Sequence, residues 1–220
     1  MTDKTAEDRA ATLGLVFDGG RARRMGGADK GLMTLAGRAM IAHAIERLGP
    51  QVAALAISAN GDPARFRRFG LPVVADDPPC FSGPLAGVLA GLDHCARVAP
   101  GLTHVATLPG DTPFAPLDLV ARLHAARRAA RADIAVAHSA GRAHHLAALW
   151  PVAIAGDLRR AIVADGLRRV ESFATRYAVA AVEWSGEPLD PFMNVNTPED
   201  LAFAEAALAE ASWASCDGGR

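Results

Sequence analysis

Arg21, Arg23, Arg24 and Lys30 are interleaved with Gly19, Gly20, Gly26 and Gly27 in the spacing GG-x4-MGG-x-DKG. Glycines let backbone N–H groups turn inward and approach an anion closely. Arginine grips phosphate oxygens in pairs, and lysine adds a mobile point charge. Together they suit the holding of a phosphate chain, with Lys30 and Arg24 placed to offset charge on a reacting phosphate. The stretch contains neither GxxxxGK[ST] nor GxGxxG, which excludes a Walker-type loop and the dinucleotide fingerprint. A solvated Gly/Arg surface loop is the bland alternative. Against it, the stretch directly follows an apolar run, Leu13–Phe17, and lacks a Ser/Pro disorder signature.

Carboxylates supply the second signal. Asp111 lies in the turn Pro109-Gly110-Asp111-Thr112-Pro113, just after the apolar run 103–108. A carboxylate at the C-terminal edge of a central strand is well placed to hold Mg²⁺. The competing reading is a cap for the helix that begins near Pro116. Asp76 follows another short apolar run, 71–75, and Asp18 directly follows the first.

These groups need a scaffold that brings strand ends together. Helical spacing of Ile41, Ala44, Ile45 and Leu48 predicts a helix over 39–48, ended by Gly49-Pro50. Segment 52–59 reads as a strand stopping at Asn60-Gly61, and 63–69 as a short helix closed by Gly70. Pro84 opens a helix to about Arg97. On it Gly87 and Gly91 read as close packing against a strand. Helices follow over 117–131, 152–164 and 167–175. The strands 133–137 and 146–150 make a hairpin on one sheet edge, and 177–184 is the last strand. Thr197 caps a C-terminal helix over 198–210. Alternating strands and helices predict an α/β fold, a doubly wound, mostly parallel sheet with helices on both faces, in a single domain. Such sheets place ligands beyond the carboxyl ends of their strands, which gathers Phe17, Asp18, Gly19, Gly20, Ser58, Asn60 and Asp76. Residues 1–12 read as a flexible N-terminus, 13–211 as the domain and 212–220 as a loose tail.

With 220 residues the chain has length for one core, and no apolar run reaches the ~18 residues of a membrane span. The net charge of −1 argues against nucleic acid as a partner. Cys80, Cys95 and Cys216 form no CxxC pair, which excludes a zinc ribbon or disulfide framework and fits a cytoplasmic protein.

The loop resembles the signature of the molybdenum cofactor guanylyltransferases, approximately LAGG-x4-RMGG-x-DKG. The resemblance extends from Leu15 to about Ala207. It includes PLAG at Pro84–Gly87, PGDTPF at Pro109–Phe114 and NVNTPEDL at Asn194–Leu201. It implies transfer of GMP from GTP to the terminal phosphate of molybdenum-molybdopterin, with Mg²⁺ and release of pyrophosphate. It implies nucleotide contacts at Gly19, Gly20, Lys30 and Asp76, the metal at Asp111, and pterin-side roles for Asn194 and Asn196. It also implies transient contact with the molybdenum-inserting protein and with apo-molybdoenzymes. A phosphate nucleophile is already ionised near neutral pH, so none of the chain's histidines needs a catalytic role.

The chain departs from the family pattern at Asp18, where alanine is usual; at Ser58, where an asparagine reads guanine; and at His145, where proline is common. One hypothesis is that Asp18 accepts the N1–H and N2–H₂ of guanine as a pair. The other is that it faces solvent or pairs with Arg21 or Arg24. These departures keep two other functions open: a related cytidylyl- or sugar-phosphate nucleotidyltransferase, and a weakly active paralogue that carries the cofactor.

Overall fold

A computed structural model of the chain describes residues 4–18, 30–76 and 83–217, with side chains to residue 210 and excluding that of Lys30. The elements run α1 (Lys4–Ala10), β1 (Thr12–Phe17), β2 (Thr34–Leu35), β3 (Arg38–Ala39), α2 (Met40–Leu48), β4 (Ala54–Ser58) and β5 (Val73–Val74). They continue with α3 (Pro84–Val98), β6 (His104–Pro109), α4 (Leu119–Ala129), β7 (Ile134–Ser139), β8 (Arg142–Pro151), α5 (Ala155–Val163), α6 (Val170–Ala174), β9 (Val179–Trp184) and α7 (Pro198–Asp217).

One sheet of 7 strands takes the order β5-β4-β1-β6-β8-β7-β9, and β2 pairs with β3 in a small hairpin. β1 is parallel to both β4 and β6, and β7 is parallel to β9; β8 alone runs antiparallel to its neighbours. This is the mostly parallel, doubly wound architecture anticipated. Strand alternation divides the core. Leu13, Leu15 and Phe17 face α3, α5 and α6. Val16 faces the other way, onto Ile41 and Leu48 of α2 and Leu119 and Leu123 of α4. Gly87 and Gly91 are packing glycines, as anticipated. A Cβ at Gly91 would stand 2.4 Å from Leu15 Cδ2, and one at Gly87 would stand 2.6 Å from Phe17 Cε1.

Three expectations need correction. The hairpin of β7 and β8 is not on an edge: β8 is inserted between β6 and β7, and β9 lies outside β7. The signal was present in Ala147–Trp150, apolar at every position and buried throughout, which marks a strand covered on both faces. The N-terminal segment read as flexible carries α1, and β1 already starts at Thr12. Asp8 is buried and accepts two bonds from Arg128 of α4, at 2.6 and 3.0 Å. At the other end, the backbone of α7 continues to Asp217 rather than loosening at 212.

Under α1, Thr12 Oγ1 donates to Asp8 O at 2.6 Å and lies 2.8 Å from His124 Nε2. His104 sits edge-on to His124, 4.8 Å between centroids. Burial, with Arg127 and Arg128 nearby, pushes both imidazoles down to about 4 from 6.5, although the Asp8 charge acts the other way. The native protein therefore binds fewer protons than the unfolded chain between these values. Stability is complete above about pH 6.5 and is lost as pH falls toward about 4. We expect the melting temperature to drop across that window, and a His104→Gln/His124→Gln variant to show a flatter profile. Identical profiles for parent and variant would contradict this.

Candidate functional site

The carboxyl ends of β1, β4, β5, β6, β7 and β9 share one rim. Asp18, just past β1, donates its N–H to Ser58 O at 2.8 Å, and its Oδ1 accepts the Gly31 N–H at 3.0 Å. It therefore ties together the two ends of the stretch anticipated to hold phosphate. The fit is close, since a Cβ on Gly31 would stand 2.0 Å from Asp18 Oδ1. Gly19, Gly20, Arg24 and the Lys30 side chain lie outside the described residues. The Lys30 backbone opens a 3-10 turn, Lys30–Leu32.

Phe17 is buried at the end of β1, and its carbonyl accepts the Gly110 N–H at 2.8 Å. Ser58, at the end of β4, is also buried and lies beneath α3, where its Oγ would stand 2.8 Å from a Cβ on Gly87. Asp76 is locked to Asn60: Asn60 Nδ2 donates to Asp76 Oδ2 at 2.7 Å, and the Asp76 N–H donates to Asn60 Oδ1 at 2.9 Å. Burial raises the Asp76 carboxyl above its ordinary range; the Asn60 amide and the Gly83 N–H oppose this. Asn60 was anticipated on this rim only as the end of its strand, without a role of its own. Its signal was its place at the strand end, opposite an aspartate.

Asp111 stands past β6, in the turn anticipated. Asn194 Nδ2 donates to Asp111 Oδ1 at 2.7 Å, and the Val195 N–H donates to Asp111 O at 3.0 Å. Asp111 is not the cap of the following helix. That helix, α4, starts at Leu119, and the Val120 N–H is met by Gln51 Oε1 at 2.9 Å. Asn194, expected on the pterin side, thus meets the candidate metal ligand directly. The Asn196 backbone N–H donates to Asp200 Oδ2 at 2.8 Å. Asp200 also accepts the Thr197 N–H, and Thr197 Oγ1 accepts the Asp200 N–H, a reciprocal box that starts α7. A small apolar cluster of Leu35, Met40, Phe114, Val195 and Ala204 fastens the β2–β3 hairpin, the Asp111 turn and α7 together beneath these contacts.

The donor set around Asp111 suits a hard divalent cation. It offers a carboxylate at a strand end, oriented by a neutral amide. Mg²⁺ keeps several waters and takes one or two carboxylates, completing its shell with substrate phosphates.

Residues 14–179 match the family described as "MobA-like NTP transferase domain". A molybdenum cofactor guanylyltransferase of Rhodopseudomonas palustris (strain BisB5) is 56% identical over 198 residues, covering 90% of this chain and 94% of the relative. Another, from Bradyrhizobium sp. (strain ORS 278), is 51% identical over 205 residues, covering 93% and 97%. The crystal structure of molybdopterin-guanine dinucleotide biosynthesis protein A from Archaeoglobus fulgidus superposes with a TM-score of 0.71 at 23% identity. It covers 90% of this chain and 99% of that one.

Proposed function

We propose a reaction on one premise: this chain belongs to the molybdenum cofactor guanylyltransferase family and is a nucleotidyltransferase. It transfers GMP from GTP to the terminal phosphate of molybdenum-molybdopterin. A terminal phosphate oxygen attacks the α-phosphorus of GTP in line. The new P–O bond forms as the bond to the bridging oxygen breaks, and pyrophosphate leaves. The observation that carries this reading is the Asp111–Asn194 pair on the same rim as Asp18 and Asp76.

Both reactants are anions, so catalysis is chiefly positioning and charge stabilisation. Gly19 and Gly20 present backbone N–H groups to the triphosphate. Lys30 and Arg24 offset charge on the transferred and leaving phosphates. Asp76, fixed by Asn60, contacts the nucleotide, with Phe17 and Ser58 forming the floor behind it. Asp111 holds Mg²⁺, which when bound neutralises phosphate charge. Asn196 and Asn194 border the acceptor. Transient contact with the molybdenum-inserting protein and apo-molybdoenzymes, in the cytoplasm, belongs to the same reading; among the described residues no helix is long and apolar enough to cross a membrane.

Asp18 Oδ1 already accepts the Gly31 N–H, so the carboxylate has a role within the chain that needs no base. We expect Asp18→Ala to loosen the closure of the loop, not the choice of base. Loss of one hydrogen bond of about 1 kcal/mol should raise KM roughly fivefold for GTP and ITP alike. A selective loss for GTP would restore the base-reading role. Equilibrium GTP binding tests the site itself. It should depend on Mg²⁺, whereas a protein that bound only the pterin, without metal or nucleotide, would be a carrier.

A further inference from the structure

Ser139, His144 and Asp190 form a hydrogen-bonded chain that the reaction above does not use. Ser139 Oγ donates to Asp190 Oδ1 at 2.6 Å and lies 2.7 Å from His144 Nε2. Its single proton goes to the carboxylate, so serine accepts from His144 Nε2–H, which selects that neutral tautomer. With serine in the middle, the hydroxyl faces an acid rather than a base, the wrong order for a nucleophilic triad. The group instead grips a segment of chain. Asp190 Oδ1 also accepts the Phe192 N–H at 2.9 Å, and Asp190 O accepts the Met193 N–H at 3.1 Å. The His144 ring stacks on Phe192 at 4.8 Å, and Phe192 packs edge-on against Trp184 at 5.3 Å. Immediately beyond lie Asn194 and Val195, both bonded to Asp111.

The strap 190–195 is therefore pinned at one end to β7 and β8 and at the other to the turn after β6. The geometry points to Asp190, Ser139 and His144 as positioning residues that seat this strap, hold Asn194 on Asp111 and so keep that carboxylate oriented for its cation. A side-chain amide on an unseated loop would have to be ordered each time the metal bound, at an entropic cost to affinity. The inference rests on the assignment of the cation to Asp111.

The test is Mn²⁺ binding in the presence of GTP and without acceptor, read from the electron paramagnetic resonance signal of free Mn²⁺. Asp190→Ala and Ser139→Ala should each raise the half-saturating Mn²⁺ concentration about tenfold, the low end for removing support behind a metal ligand. Asp190→Asn should bind like the parent, because its amide oxygen can accept both bonds. Asp190→Ala should add nothing to the loss caused by Asn194→Ala, since both act through one contact. Normal Mn²⁺ binding by Asp190→Ala would overturn the proposal. So would full additivity with Asn194→Ala, or an equal loss in Asp190→Asn. If Asp190→Ala does not fold, Ser139→Ala carries the same test in its own cycle with Asn194→Ala. A parent protein that binds no Mn²⁺ with GTP also overturns it. A parent that binds Mn²⁺ but transfers no guanylyl group would refute the reaction and leave the strap's result standing.

Discussion

Replacing Asp111 with alanine should lower kcat for GTP-dependent pyrophosphate release by about 10³-fold or more, the scale expected when a centre of transition-state charge stabilisation is removed. The loss should be catalytic rather than structural. Asp111 is half-buried in a surface turn, and the turn is also held by the Gly110 N–H to Phe17 O bond and by Val195 N–H on Asp111 O. The informative companion is Asp111→Asn. Its side-chain oxygen can still accept from Asn194, so the strap stays seated while the charge is gone. The two variants should be similarly inactive and both should melt near the parent. If Asp111→Asn retained most of the activity, Asp111 would be only an anchor for Asn194, and the cation would have to be held elsewhere.

The largest effect on stability is expected at Trp150. It is fully buried on β8, and its Nε1–H donates to Thr107 Oγ1 at 3.0 Å, while Thr107 Oγ1 donates to Ala148 O at 3.2 Å. The indole thus fills the core beneath α3 and α5 and joins β8 to its antiparallel neighbour β6. Trp150→Ala should cost about 3–5 kcal/mol, because the cavity adds to the lost transfer free energy. For a domain of this size that is a fall in Tm of roughly 10 °C or more. Trp150→Phe keeps most of the apolar volume and gives up chiefly one hydrogen bond, about 1 kcal/mol. Denaturant unfolding of the pair separates these contributions. Equal losses in both variants would mean that the hydrogen bond, not the packing, dominates.

The parts of the fold legible in the sequence were those written in local residue types. Apolar runs marked the strands. Pro84 marked the start of α3, and Thr197-Pro198 that of α7. The Gly/Arg stretch and the Pro-Gly-Asp-Thr-Pro turn marked two parts of one rim. What was not legible depends on partners far apart in the chain. Asn194 meets Asp111 across 83 residues, Ser139 meets Asp190 across 51, and Arg128 meets Asp8 across 120. No periodicity reports such pairings, because they follow from strand order and register. The register itself shifts between Val136 and Ala137, just before Ser139. A polar N-terminus therefore read as flexible until the part-buried Asp8–Arg128 pair placed it, and the bond from the Gly31 N–H to Asp18, 13 residues apart, left no mark in the sequence. The roles of Gly19, Gly20, Arg24 and Lys30 rest on residue type and on family resemblance.

The most direct test is pyrophosphate release by the purified protein with Mg²⁺ and molybdenum-loaded molybdopterin, offered GTP, CTP or ATP separately, beside Asp111→Asn. Release is expected with GTP, with little from CTP or ATP, and is expected to be lost in the variant. Release with CTP in preference to GTP, or equal release by Asp111→Asn, would contradict this.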